Sequence, residues 1–280
     1  MKYLSAMTST ILVPIDFTPV TEGALKYSIQ LVNQLESADI LLLHMAKNAK
    51  EQAAAEGKLN QMAQSYAKTA QIRTKVAIGG IEEIGKTAEL LEAGLICMGT
   101  HGLKGIQYLV GSKAIKVVSG TTLPFIITQA QSPAEKPSKE IIVPIDFAAE
   151  EKRVLTEAAA LARSLGGRLH LLGANHDDEL LAKKVALNLS FARRFLSEKG
   201  VEHLVSHGEI GQDFQAFILD YCQREQADLI AIVNHHEDGV RNLLGANFDQ
   251  NIITNKLQLP VLIFTGKALS DKRDIFGMFR

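Results

Sequence analysis

One block of this sequence occurs twice. Ile11-Leu12-Val13-Pro14-Ile15-Asp16-Phe17 returns 130 residues later as Ile141-Ile142-Val143-Pro144-Ile145-Asp146-Phe147, and only Leu12 and Ile142 differ. An offset of that size is a whole domain, not a solenoid unit. Later segments keep step. Leu123-Pro124-Phe125-Ile126-Ile127-Thr128 matches Leu259-Pro260-Val261-Leu262-Ile263-Phe264, and Ala93-Gly94-Leu95-Ile96-Cys97-Met98 matches Ala227-Asp228-Leu229-Ile230-Ala231-Ile232. A polar stretch from Gln129 to Ser138 carries Pro133 and Pro137 and reads as a linker. The expected organisation is a first domain at 1–130, a linker at 131–139, a second domain at 140–266 and a tail at 267–280.

Within each copy, short apolar runs alternate with longer helical patterns. Strands are expected near 10–15, 39–45, 72–78, 95–99 and 123–128, with helices near 20–36, 50–70, 81–93 and 111–119. The second copy repeats this, with strands near 140–145, 168–174, 202–206, 228–233 and 260–265 and helices near 149–165, 177–199, 211–226 and 245–255. The strand runs read as apolar throughout, which suits parallel strands covered on both faces. Alternating β and α elements imply right-handed crossovers and a doubly wound α/β sheet in each copy.

Composition excludes several function classes. Lys and Arg number 30 against 31 Asp and Glu, so no basic excess points to nucleic acid. The two cysteines, Cys97 and Cys222, have neither C-x-x-C nor zinc-ligand spacing and read as structural thiols of a reducing compartment. The first residues are too short and mixed for a signal peptide, and no apolar run reaches the ~18 residues of a membrane span. The expectation is a cytoplasmic protein.

In an open α/β sheet, ligands bind beyond the carboxyl ends of the strands where strand order reverses. Three features of the first copy would meet there. Asp16 follows the first strand; it can accept from a ribose or base, hold Mg²⁺ through water, or cap the next helix, a task Thr18 can also perform. The segment from Met98 to Ser112 follows the fourth strand and opens the last helix. Its Gly99, Gly102, Gly105 and Gly111 let the backbone turn and approach a ligand, and the helix start favours an anion. Ser112 can add a hydrogen bond or cap that helix. Lys113 can neutralise phosphate, while Lys104 reads as a surface lysine. Third, Met45 closes the second strand and can pack against a base or finish the core edge. His44 and His101 lack metal-ligand spacing and read as structural or loop residues.

Together, Val13-Pro14-Ile15-Asp16-Phe17, Leu43-His44-Met45, Met98-Gly99-Thr100-His101-Gly102 and Gly111-Ser112 resemble the universal stress proteins, once per half. The resemblance implies two tandem Rossmann-like open sheets, five strands each, in the order 3-2-1-4-5. It implies that Pro14, Ile15 and Asp16 flank an adenosine, that Met45 lies near adenine, that Met98, Gly99 and Gly102 line the loop, and that Gly111, Ser112 and Lys113 reach the phosphates of ATP, or of AMP or ADP. Members pair through the last strand. Here that implies an intramolecular pseudo-dimer through the strands near 123–128 and 260–265, or a homodimer of whole chains.

Two departures stand out. ATP-binding members use a G-x2-G-x9-G-(S/T) loop, and here eight residues separate Gly102 from Gly111. In the second copy, Val233 falls opposite Gly99, His236 opposite Gly102 and Ala246 opposite Ser112, although Gly239 and Gly245 survive. Val and His do not reproduce glycine's backbone freedom. His235-His236-Glu237-Asp238 lacks helical metal-ligand spacing and reads as a polar loop. The leading expectation is a stress-response regulator binding an adenine nucleotide in its first domain, with the second domain a structural or regulatory pseudo-copy. A nucleotide-independent interaction module and a slow ATPase are the alternatives. No nucleophile–base pair and no Walker lysine motif supports catalysis.

Overall fold

The computed structural model describes residues 10–35, 38–100, 121–132, 138–146, 151–234 and 248–265, with 151–153, 234, 249–250 and 265 described in their backbone alone. The first half runs β1 (Thr10–Pro14), α1 (Pro19–Gln34), β2 (Asp39–Ala46), α2 (Ala49–Ser65), β3 (Ile72–Ile78), a 3₁₀ turn (Ile81–Glu83), α3 (Ile84–Leu90), β4 (Leu95–Thr100) and β5 (Phe125–Gln129). The second runs β6 (Glu140–Ile145), α4 (Glu151–Leu165), β7 (Arg168–Gly173), α5 (Glu179–Glu198), β8 (His203–His207), α6 (Phe214–Arg224), β9 (Leu229–Asn234), α7 (Phe248–Ile253) and β10 (Val261–Thr265). The helix expected near 111–119 and the tail at 267–280 lie outside the described residues.

Local chemistry sets the helix ends. The Asn48 side chain accepts from the Glu51 N–H at 3.0 Å and caps α2. Asp178 does the same for α5 and Asp213 for α6. The third helix is shorter than its apolar pattern suggested. Residues 81–83 tighten into 3₁₀ geometry, and Glu92 takes a left-handed backbone with φ 55°. The Ala93 N–H then reaches the Ala88 carbonyl at 2.9 Å, the bond of a Schellman ending.

The ten strands among the described residues form one sheet, in the order β3-β2-β1-β4-β5-β10-β9-β6-β7-β8. Each half therefore has the order 3-2-1-4-5, with parallel strands inside it. The halves meet where β5 and β10 pair antiparallel, with Ile127 opposite Val261, Ile126 opposite Leu262 and Phe125 opposite Ile263. In the repeat, Phe125, Ile126 and Ile127 correspond to Val261, Leu262 and Ile263. The register is thus the one a two-fold axis through Ile126 and Leu262 requires.

Hydrogen bonds reinforce the seam. Gln129 Nε2 donates to the Asn255 carbonyl at 3.1 Å, and the Ser132 hydroxyl donates to the Gln258 carbonyl at 2.6 Å. Tyr27 of α1 shares a buried hydrogen bond of 3.0 Å with Ser138. One apolar core on each face of the sheet continues across both halves. Helices α1, α2, α4 and α5 cover the face holding Ile126 and Leu262, and α3, α6 and α7 cover the face holding Phe125, Ile127, Val261 and Ile263.

The inner strands β1, β4 and β5 are almost wholly buried, as their apolar runs suggested. The outer strands differ from that reading. Arg73, Lys75 and Ile78 of β3 and Leu204 and His207 of β8 are exposed, among covered neighbours. These strands end the sheet and lack a neighbour on one side.

Candidate functional site

Strand order in the first half reverses between β1 and β4. Their register pairs Ile11 with Leu95 and Leu12 with Ile96, so Ile15 stands level with Gly99. The β1–β2 register pairs Pro14 with Leu43, which brings Asp16 level with Met45. Pro14, Ile15, Asp16, Met45, Met98 and Gly99 therefore gather at one end of the sheet. Gly102, Gly111, Ser112 and Lys113 lie outside the described residues, as do His101 and Lys104.

The individual side chains divide into core and cleft. Met98 is buried in the apolar cluster with Ile84, Ile96 and Phe125, so its side chain is core. Pro14 and Ile15 are buried as well, whereas Met45 is half-buried at the edge of that core. Gly99 backs onto α1. A Cβ on it would stand 2.8 Å from the Val20 carbonyl carbon and 2.9 Å from Val20 Cγ1, and nearer still to the Val20 oxygen. Close helix–strand packing therefore requires glycine at this position, whatever the loop beyond it does.

Asp16 is exposed. Its Oδ1 accepts from the Thr18 N–H at 2.9 Å and the Thr18 hydroxyl at 2.6 Å. The Thr21 hydroxyl stands 3.0 Å from that oxygen and 3.0 Å from the Thr18 carbonyl, and its one proton serves one of them at a time. Asp16 is thus not the N-cap residue of α1, a position Thr18 occupies without a side-chain cap bond. It forms an Asx turn that holds the helix entrance from two residues upstream. Partial burial would raise its pKa. The hydrogen bonds from Thr18 and Thr21 outweigh that and hold the carboxyl below the ordinary aspartate value of 3.8.

Two features of this turn had no sequence signal. Phe17 takes φ 64°, a left-handed conformation that bulky residues rarely adopt. Its ring lies 4.9 Å from the His44 ring, with Lys58 Nζ 5.8 Å from its centroid. His44, at the end of β2, stands with Nδ1 2.7 Å from the Ile15 carbonyl.

The second half treats its aspartate differently. Asp146 is buried, with 5% of its surface exposed. Its Oδ1 lies 3.0 Å from His176 Nε2, and its carbonyl accepts from Asn188 Nδ2 of α5 at 2.7 Å. Sequence reading missed both partners, which lie 30 and 42 residues away. Val233, opposite Gly99, is buried in the core, while His236 and Ala246 fall outside the described residues. A fully buried histidine, His170, sits toward the amino ends of the strands, away from this turn. It lies 2.6 Å from Glu140 Oε2 and 3.1 Å from the Tyr221 hydroxyl. Among the described residues no group of three His, Cys, Asp or Glu side chains could hold a metal ion. Among them, too, no helix is long and apolar enough to cross a membrane.

Two doubly wound α/β halves, each with strand order reversing between its first and fourth strands, define a tandem of Rossmann-like folds. The sequence profile of the universal stress protein family matches residues 7–129 and again 137–264, and the chain belongs to that family. No curated relative matches the chain's sequence. Among solved structures, a universal stress protein from Archaeoglobus fulgidus DSM 4304 is 19% identical with a TM-score of 0.74, covering 94% of this chain and 98% of its own. A functionally unknown protein from Pseudomonas aeruginosa PAO1 is 18% identical with a TM-score of 0.63, covering 93% of each chain. A universal stress protein from Archaeoglobus fulgidus in complex with dAMP is 19% identical with a TM-score of 0.38, covering 46% of this chain and 99% of its own.

Proposed function

We propose that this chain is a stress-response regulator that binds an adenine nucleotide, with ATP the leading candidate, in the first-half cleft alone. The contrast between two equivalent aspartates carries this reading. Asp16 is exposed and engages only the turn around it, so its carboxylate is accessible to a ribose hydroxyl. Asp146 is buried and engaged by His176, which fills the corresponding place with the protein's own side chain. Met45, level with Asp16, offers a half-buried apolar surface for a base. The sequence of the segment from Gly99 to Ser112, rich in glycine and closed by a serine, suits it to phosphates. Mg²⁺ would arrive with those phosphates, and Asp16 would help to hold it and so to neutralise their charge. We read the β5–β10 seam as an intramolecular pseudo-dimer, in which the second half is a structural or regulatory pseudo-copy.

Calorimetric titration of the full chain with ATP, ADP and AMP, with and without Mg²⁺, tests the reading. Wild type binds one nucleotide per chain, and Asp16→Ala and Gly102→Val abolish binding. No heat of binding from wild type in the presence of Mg²⁺, or two equivalents bound per chain, overturns it.

A further inference from the structure

We infer that His44 is a positioning residue, the clamp that holds the turn carrying Asp16 in its binding-competent shape. This rests on the nucleotide reading only for what the turn is for; the clamp itself stands on geometry. A backbone carbonyl can only accept a hydrogen bond, so the 2.7 Å contact between His44 Nδ1 and the Ile15 oxygen requires the proton on Nδ1. The neutral ring is thereby fixed as the Nδ1–H tautomer.

The bond joins β2 to the residue immediately before Asp16. One residue beyond Asp16, the same imidazole lies against the Phe17 ring at 4.9 Å. Asp16 is thus bracketed by two contacts to one side chain on a different strand. Between them the chain makes an unfavourable turn, since Phe17 holds φ 64°. A left-handed phenylalanine persists only where its surroundings over-determine it. His44 supplies that determination from one side of the ring, and Lys58 Nζ lies 5.8 Å from the ring centroid. The second half is built otherwise. Its register places Gly173 opposite His44, and Asp146 there turns inward to His176. The half with the histidine presents its aspartate outward, and the half without it does not.

The test uses the full chain with His44→Leu and His44→Asn. Leucine removes the donor. Asparagine loses the ring but keeps an N–H donor at the Nδ1 position, so it separates the hydrogen bond from the packing. Two readouts are independent of nucleotide. The first is the His44 tautomer in the wild type, read by ¹⁵N NMR at about pH 8, where an ordinary histidine is neutral. The second is hydrogen exchange at the Thr18 amide, which is bonded to Asp16 Oδ1. The Leu25 amide inside α1 reports whether the helix as a whole stays folded.

The expected results are an Nδ1–H tautomer, Thr18 exchange faster in His44→Leu by about fivefold, the factor given by one net hydrogen bond, and near-wild-type exchange in His44→Asn. AMP affinity falls by about the same factor in His44→Leu and recovers in His44→Asn. An Nε2–H tautomer, or Thr18 exchange unchanged in His44→Leu, overturns the clamp. Equal acceleration in both variants overturns it too, because packing and not the hydrogen bond would then be responsible. If the wild type binds no nucleotide while the exchange pattern holds, the nucleotide reading fails and the clamp stands.

Discussion

Replacing Gly99 with alanine adds one methyl group where the structure has no room for it. The new Cβ would sit 2.8 Å from the Val20 carbonyl carbon and 2.9 Å from Val20 Cγ1. Carbon atoms prefer ~3.5–4.0 Å, so β4 and α1 would have to separate by the better part of an ångström. The nearest obstacle is backbone at the first turn of α1, which cannot rotate away as a side-chain tip can. Overpacking of this kind costs about 1–3 kcal/mol. A mid-range loss of about 2 kcal/mol lowers the melting temperature by about 4–8 °C in a chain of this size. Scanning calorimetry on the full chain measures this, and urea unfolding with an unchanged slope confirms that the native state is what changed. Gly57→Ala is the control with the opposite sign. That glycine lies exposed in α2 with nothing within 4 Å of an added Cβ, so alanine there stabilises by about 0.5–1 kcal/mol. If Gly99→Ala melts with or above the wild type, the close approach of β4 to α1 is not a constraint.

Other perturbations test separate features. Asp16 has a folded-state pKa below 3.8, so its hydrogen bonds stabilise the fold above that pH and lose their contribution as pH falls through the depressed value. The stability gap between wild type and Asp16→Asn, followed by urea unfolding, therefore narrows as the solution is acidified below 3.8; a gap that widens there contradicts the Thr18 and Thr21 bonding. Burial pushes the thiols of Cys97 and Cys222 up to about 12, so native protein at pH 8 resists alkylation at both until it is denatured. Rapid native labelling would mean that one of the cores opens. Removing the imidazole in His176→Ala withdraws a partner from a buried carboxylate and destabilises the chain by about 1–3 kcal/mol. A neutral outcome in chemical denaturation would show that the Asp146–His176 contact is incidental.

The repeat made most of the fold legible. Seven nearly identical residues at β1 and β6 fixed the domain period, and the apolar runs located every described strand to within a residue or two. Burial on both faces was over-generalised to β3 and β8. Arg73, Thr74 and Lys75 in the one and His203, Ser206 and His207 in the other already interrupt the apolar run, as suits strands at the ends of the sheet. The third helix was overdrawn because a left-handed glutamate, Glu92, ended it where no glycine advertised a stop. In the cleft, Asp16 was legible from its position after a strand. Its partners Thr18 and Thr21 are near in sequence, but the hydroxyl geometry that joins them depends on the turn. Gly99 was read as a loop glycine, and its closeness to Val20 belongs to packing between elements 79 residues apart. The enclosure of Asp146 by His176 and Asn188 is equally non-local. A helix-approach distance and a folded-over histidine leave no periodic trace.

The antiparallel meeting of β5 and β10 also bears on how such a protein can change over time. Strands of the two halves run in opposite directions, so the carboxyl ends of the two sets of strands face opposite ways. In a two-fold dimer of identical chains, every substitution is made in both clefts at once, and the damage or benefit is counted twice. Covalent fusion lifts that constraint while retaining the seam between Ile126 and Leu262. Val233 can then stand where position 99 must stay glycine to let α1 approach, and an aspartate can turn inward in one half while its twin stays outward in the other. The fused sheet thus provides independent inheritance for two surfaces that share one core.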